Sequence, residues 1–154
     1  MNAEIISVGT ELLLGHTVNT DTSAVARELS AAGIDLLYSC TVGDNPERLK
    51  IALETALSRS DLVVTTGLGP TGDDLTKETI AAAAGKKLVM DEESLRRIEQ
   101  YFKGRFLGET QKKQALLPEG CTVFPNDCGT APGCGFTTEN GKCIIMLPGP
   151  PFEL

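Results

Sequence analysis

Leu62-Val63-Val64-Thr65-Thr66-Gly67-Leu68-Gly69-Pro70-Thr71-Gly72-Asp73-Asp74-Leu75-Thr76 passes from an apolar, β-branched run through three closely spaced glycines to a helix start. Strand, loop and helix in that order form the repeating unit of open α/β sheets, whose ligands bind at the carboxyl ends of the strands. Gly67, Gly69 and Gly72 let backbone N–H groups approach an anion with no Cβ in the way. Thr66 and Thr71 add hydroxyls, and the helix beyond adds its positive end. Asp73 and Asp74 would repel a phosphate unless a divalent ion bridged carboxylate and phosphate oxygens. A plain turn in which Asp74 or Thr76 caps the next helix accounts for the same residues. The spacing matches neither a Walker A loop nor a GxGxxG fingerprint.

Outward from this segment, residues 4–8 and 34–41 are short apolar runs of the kind that form buried parallel strands, and 62–66 is a third. Between the first two lies a predicted helix over 19–32, with Val25, Leu29 and Ala32 on one face and Gly33 as its stop. Asn45 and Pro46 read as N-cap and first position of another, carrying Leu49, Leu53, Ala56 and Leu57. Asp91, Glu92 and Glu93 open a later helix expected to set Leu95, Ile98, Phe102 and Phe106 on one side. Residues 121–125 and 135–138 read as strands, and Asn140-Gly141 turns the chain into a strand over 142–147, so that one strand is antiparallel. The expected fold is a three-layer α/β/α sandwich with a mainly parallel sheet. Gly9, residues 41–44, 66–74 and 147–150 should then meet along one sheet edge.

A length of 154 residues suits one domain with one core, and a hydrophobic fraction of 41% is that of a globular chain. A net charge of -7 disfavours nucleic acid as the partner, because polyanion binding is carried by a Lys and Arg excess. A small phosphate ester remains compatible if backbone amides, a lysine or a metal supply local help. Five cysteines without a C-x-x-C pair fit reduced thiols and a cytoplasmic setting rather than zinc. The first residues resemble neither a signal peptide nor a membrane span. His16, the only histidine, has no Ser or Cys nucleophile signature near it and receives no role. The chain stops where a further helix would begin, so it is expected to be a piece of a longer protein.

Several candidates combine a structural and a chemical reading. Asp44 would cap the second helix or hold a metal, and Asn19 would cap the first or touch a ligand. Glu11, after Thr10 at the first strand end, would bind a ribose hydroxyl or a metal-bound water, or hydrogen-bond loop amides. Lys113 lies in a basic pair that could reach a phosphate. Gly149, between Pro148 and Pro150, sits at a stiff turn.

The runs Ser7-Val8-Gly9-Thr10-Glu11-Leu12-Leu13-Leu14-Gly15, Val18-Asn19-Thr20, Val42-Gly43-Asp44-Asn45, the glycine loop continuing into Asp-Asp-Leu-Thr-Lys-Glu, Lys113-Gln114-Ala115, Gly129-Thr130-Ala131-Pro132-Gly133 and Leu147-Pro148-Gly149-Pro150-Pro151 with Glu153 together resemble the amino-terminal domain of competence/damage-inducible protein A (CinA), within the molybdopterin-binding (MoaB/Mog-like) superfamily. The likeness spans nearly the whole chain. It implies ADP-ribose hydrolysis to AMP and ribose 5-phosphate, aided by Mg²⁺, Mn²⁺ or Co²⁺ and by K⁺. It also implies a separate carboxyl-terminal amidase domain, acting on nicotinamide mononucleotide, that residues 1–154 lack. Carried onto this chain, the resemblance puts Asp44 and Asp74 at the metal as catalytic carboxylates. Gly9, Thr10, Glu11, Asn19, Thr66, Gly67, Gly69, Pro70, Thr71, Lys113 and Gly149 then face the substrate. The partner is a nucleotide of the ADP-ribose type or a pterin, with no nucleic acid and no membrane; a homo-oligomer is compatible with this. A pterin- or nucleotide-binding module without turnover is the alternative. The family's loop reads Thr-Gly-Gly-Leu-Gly-Pro-Thr and this one is a glycine shorter. At up to about 3.6 Å per residue, the strand should unravel by one residue or the cradle should lose catalytic alignment.

Overall fold

A computed structural model describes residues 1–68 and 76–149. The chain runs through β1 (Asn2–Val8), α1 (Thr10–Leu13), α2 (Asp21–Ala31), β2 (Asp35–Val42), α3 (Pro46–Arg59), β3 (Leu62–Leu68) and α4 (Thr76–Ala83). It continues through β4 (Leu88–Met90), α5 (Glu92–Tyr101), α6 (Glu109–Lys112), β5 (Leu116–Pro118), β6 (Thr122–Phe124), β7 (Gly133–Thr137) and β8 (Cys143–Pro148). The main sheet has the order β2-β1-β3-β8-β7-β6. The β1–β2, β1–β3 and β3–β8 pairs are parallel, and β7 is antiparallel to both β8 and β6. This is the expected three-layer sandwich with one antiparallel strand.

The strands at the centre are apolar on both faces because helices cover both. On one face Leu49 and Leu53 of α3 and Ile80 of α4 pack with Ile6, Val63, Ile144 and Met146. On the other, Val25 and Leu29 of α2 pack with Ile5 and Val64. Each fully buried side chain such as Leu53, Ile80 or Ile144 contributes about 1.5–3 kcal/mol relative to an exposed one. Local chemistry sets the ends. Asn45 Oδ1 accepts the Arg48 N–H at 3.0 Å with Pro46 at the first position of α3, and the Asp91 carboxylate accepts the Ser94 N–H at 2.9 Å to start α5. The β7–β8 hairpin closes through Gly141 N–H donating to the Thr138 carbonyl at 3.0 Å, with Gly141 at φ 79°. Asn140 therefore sits in the turn and Gly141 takes the left-handed position after it.

Four features depart from expectation. The short helix α1 follows β1 directly, and β4 with β5 makes a small antiparallel sheet of its own. Phe106 lies beyond the end of α5 and is 86% exposed, so the apolar side of that helix stops at Phe102, its C-cap. Finally, β3 runs on to Leu68, two residues past its expected end at Thr66, with an irregularity in its pairing to β8 between Thr66 and Leu68, so that of the two outcomes expected of the shorter loop the unravelled strand is the one not seen. No helix among the described residues is long and apolar enough to cross a membrane.

Candidate functional site

The order β2-β1-β3-β8 sets four strand ends side by side. Gly9 N–H donates to the Val42 carbonyl at 2.9 Å, and Gly149 N–H donates to the Leu68 carbonyl at 2.9 Å. Gly67 lies between them at φ 113°, and a Cβ there would stand 2.4 Å from the Val8 carbonyl oxygen. A Cβ on Gly149 would meet Gly67 Cα at 3.1 Å. Gly67, read as part of an anion cradle, is thus also demanded, with Gly149, by the close approach of three strand ends to one another.

On the α3–α4 side, Thr10 and Asp44 hold each other. The Thr10 N–H donates to Asp44 Oδ2 at 3.2 Å, and the Asp44 N–H donates to Thr10 Oγ1 at 3.0 Å. Because Asn45 supplies the cap of α3, the Asp44 carboxylate is not spent on the helix and stays exposed. It borders a small cleft of about 30 Å³ with Val8, Asn45, Thr76 and Thr79, room for one or two water-sized groups. Thr76, expected only as an alternative helix cap, and Thr79, which the sequence did not single out, lie on the first turn of α4; their i, i+3 spacing on one helix face is the signal that joins them. The exposed Glu11 folds back over Gly9, its Oε1 being 2.6 Å from where a Gly9 Cβ would stand.

On the α2 side, Asn19 links helix to sheet. Its Oδ1 accepts the Thr22 N–H at 3.2 Å, as a cap would, while Nδ2 donates to Ser7 Oγ at 3.0 Å and Thr22 Oγ1 at 2.9 Å. Ser7 pairs in register with Thr66 on β3 and Thr41 on β2, so the hydroxyl residues Thr41, Ser7 and Thr66 form a row on one sheet face. Both readings of Asn19 therefore fall at the same strand ends.

Lys113 opens a single 3₁₀ turn, Lys113–Ala115, and is exposed. Its carbonyl accepts from Lys77 Nζ at 2.8 Å, which ties its backbone, rather than its ammonium group, to the start of α4. The structure thus gathers Gly9, Thr10, Glu11, Asp44, Asn19, Thr66, Gly67 and Gly149 at one sheet edge. Gly69, Pro70, Thr71 and Asp74 lie outside the described residues. Among the described residues, no group of three or more His, Cys, Asp and Glu side chains could hold a metal ion unaided.

Residues 4–154 match the family described as "Probable molybdopterin binding domain". A CinA-like protein of Desulfovibrio desulfuricans is 58% identical over 155 residues, covering 100% of this chain and 36% of that one. The chain thus spans little more than a third of that relative's length. The crystal structure of the CinA protein from Thermoplasma acidophilum superposes with a TM-score of 0.89 at 39% identity, over 99% of this chain and 90% of that one. MoaB, a molybdopterin biosynthesis enzyme of Thermus thermophilus, shares the fold with a TM-score of 0.64 at 19% identity, over 97% of this chain and 82% of that one. The chain belongs to the molybdopterin-binding domain family and, within it, to the CinA-like proteins.

Proposed function

We propose that this domain hydrolyses the phosphoric anhydride of an ADP-ribose-type nucleotide, water adding to phosphorus as the P–O–P bond breaks to give AMP and ribose 5-phosphate. The observation that carries the reading is the Asp44 carboxylate, released from helix capping by Asn45 and oriented by Thr10 beside a small cleft that Asn45, Thr76 and Thr79 share with Val8, Pro46 and Leu49. A hard divalent ion of the Mg²⁺ class takes one or two carboxylates and completes its shell with substrate phosphates and water. One exposed, oriented aspartate fits that demand, with Asp74 as the second carboxylate. Bound there, the ion would neutralise charge on the bridging oxygens. Backbone amides following Gly67 would hold the phosphates, and Thr10 and Thr76 would offer hydroxyls to a nucleophilic water.

Incubation with ADP-ribose, K⁺ and Mg²⁺, Mn²⁺ or Co²⁺ should release AMP, resolved by chromatography. Asp44→Ala and Asp74→Ala should each lower the rate about 10²-fold or more. Hydrolysis that persists in both variants, or that ignores chelator, rules the mechanism out. The family description favours a second reading, in which a pterin phosphate binds the same strand ends without turnover. Calorimetric binding with no AMP under any of the three metals would select it.

A further inference from the structure

The two outermost strands of the main sheet are finished differently. At one side β6 is three residues long and runs into Pro125, which leaves a neighbouring chain little to pair with. At the other, β2 is eight residues long, and from Leu36 to Val42 it holds neither a charge nor a proline. An outermost strand of that length and character is a template for another strand. The irregularity in its pairing with β1 falls at Leu37, which is skipped between the pairs Ala3–Leu36 and Glu4–Tyr38, and from Tyr38 to Val42 the register is unbroken. The Val42 carbonyl turns inward, accepting from the Gly9 N–H at 2.9 Å. With a period of two, Ser39 and Thr41 therefore turn their N–H and C=O groups outward. Among the described residues, no strand pairs with that side.

Apolar side chains stand exposed at both ends of this stretch. Leu37 is 57% exposed and Tyr38 46% at one end. At the other, just past Val42, Leu13 of α1 lies against Gly43, its Cδ1 3.4 Å from where a Gly43 Cβ would stand, yet it is 58% exposed. Clustered exposed apolar groups mark a contact surface. Five residues of strand set the two groups roughly 17 Å apart.

We propose that β2 is the interface with a second copy of this chain, whose own β2 pairs antiparallel to it about a twofold axis at Cys40. That register matches Ser39 with the partner's Thr41 and Cys40 with the partner's Cys40, using every outward backbone group between Tyr38 and Val42. It sets Leu37 opposite the partner's Gly43, and so beside the partner's Leu13. A twofold-related copy presents both apolar groups at the same spacing in reverse order, which an unrelated strand has no reason to do. Charge favours the same register. A chain of net charge -7 approaches its own copy at least cost where it carries no charge, and Asp35 and Asp44 fall opposite the partner's Asn45 and the partner's Leu36, so like charges do not meet. An axis at Ser39 would oppose Thr41 to the irregular Leu37, and one at Thr41 would oppose Ser39 to Gly43, past the strand end. The two candidate sites open at opposite ends of the joined sheet, so each copy keeps its own whatever that site binds.

Sedimentation at micromolar concentration should give a dimer. Directly opposed residues that share no backbone hydrogen bond have Cα atoms about 4.5 Å apart, within disulfide reach. Diamide, a two-electron oxidant, should therefore take one hydrogen from each facing Cys40 thiol and join the two sulfurs. The covalent dimer should appear on a non-reducing gel, vanish in Cys40→Ser and persist in Cys128→Ser, which removes the exposed thiol. Ser39→Pro deletes one outward N–H, a change that an outermost strand tolerates, and should leave a folded monomer. Leu37→Lys, at an exposed position, should weaken the dimer about tenfold or more while the circular dichroism spectrum stays that of the parent chain. A monomeric parent chain, a covalent dimer that is absent or that survives Cys40→Ser, or a dimer unaffected by both Ser39→Pro and Leu37→Lys overturns the assignment.

Discussion

Gly67 shows how one residue can serve packing and chemistry at once. Its φ of 113° is a conformation that L side chains rarely adopt, and the space where a Cβ would stand is occupied by the Val8 carbonyl oxygen at 2.4 Å. The Val8 carbonyl cannot yield cheaply, because Val8 is held in register with Val42 of β2, and Gly67 is fixed between the paired residues Thr66 and Leu68. Gly67→Ala should therefore cost about 2–4 kcal/mol, combining a strained backbone with overpacking. Gly141→Ala provides the control: φ is 79° there but nothing lies within 4 Å of the added Cβ, so only the backbone penalty of about 1–2 kcal/mol applies. Urea unfolding of both variants checks this, and equal losses would show that the contact with Val8 carries no weight. The sequence already marked Gly67 as a place where a Cβ cannot stand. It could not say whether an anion or the chain's own carbonyl excludes it, since both require the same missing atom.

At the scale of elements, legibility followed the strength of the local signal. Asn45 with Pro46 and Asp91 before Glu92 located α3 and α5 because capping chemistry is written in the residues themselves. The helix α1 escaped notice because it spans four residues and its N-cap, Gly9, has no side chain to bond. The β4–β5 pair escaped because three-residue strands are too short for alternation to register. Asp21 was passed over for another reason: an acid in a helix's first turn ordinarily complements the dipole, so its burial against the sheet was invisible. That burial has a measurable sign. Because burial pushes its carboxyl above the ordinary carboxylate range, the folded state holds this proton more tightly than the unfolded one does. Its stabilising contribution is complete below the unfolded pKa and is lost as pH rises through the higher folded value. Asp21→Asn should therefore raise the melting temperature at pH 7 and bring little gain near pH 3. A gain that is the same at both pH values would mean that the carboxyl is not desolvated.

Across the whole molecule, the sheet sets the pair of buried Glu4 with Arg59 at the edge opposite the strand ends that form the candidate site. Near the amino end of β1, the Glu4 carboxylate is nearly inaccessible and accepts from Arg59 Nε at 3.0 Å, Arg59 Nη2 at 2.6 Å and Ser60 Oγ at 3.2 Å. The guanidinium also lies 3.6 Å from the centroid of the Tyr38 ring. This cluster joins β1, β2 and the end of α3 at one edge, while Ser7, Val8 and Gly9 of the same β1 serve the other. A buried carboxylate stripped of its partner destabilises strongly, whereas replacing both partners by apolar residues of similar volume is often neutral. Arg59→Leu should accordingly lower the urea midpoint, and adding Glu4→Leu should recover most of the loss, although Glu4→Leu alone leaves Arg59 partly solvated and costs less. Nucleotide affinity, corrected for the folded fraction, should stay constant through the series, because every altered atom lies at the opposite edge from Asp44. A double variant no more stable than Arg59→Leu would show that the pair contributes packing rather than charge compensation. Affinity that tracked the midpoint would show instead that β1 transmits strain between its ends, and that the sheet does not insulate its ligand edge from its structural one.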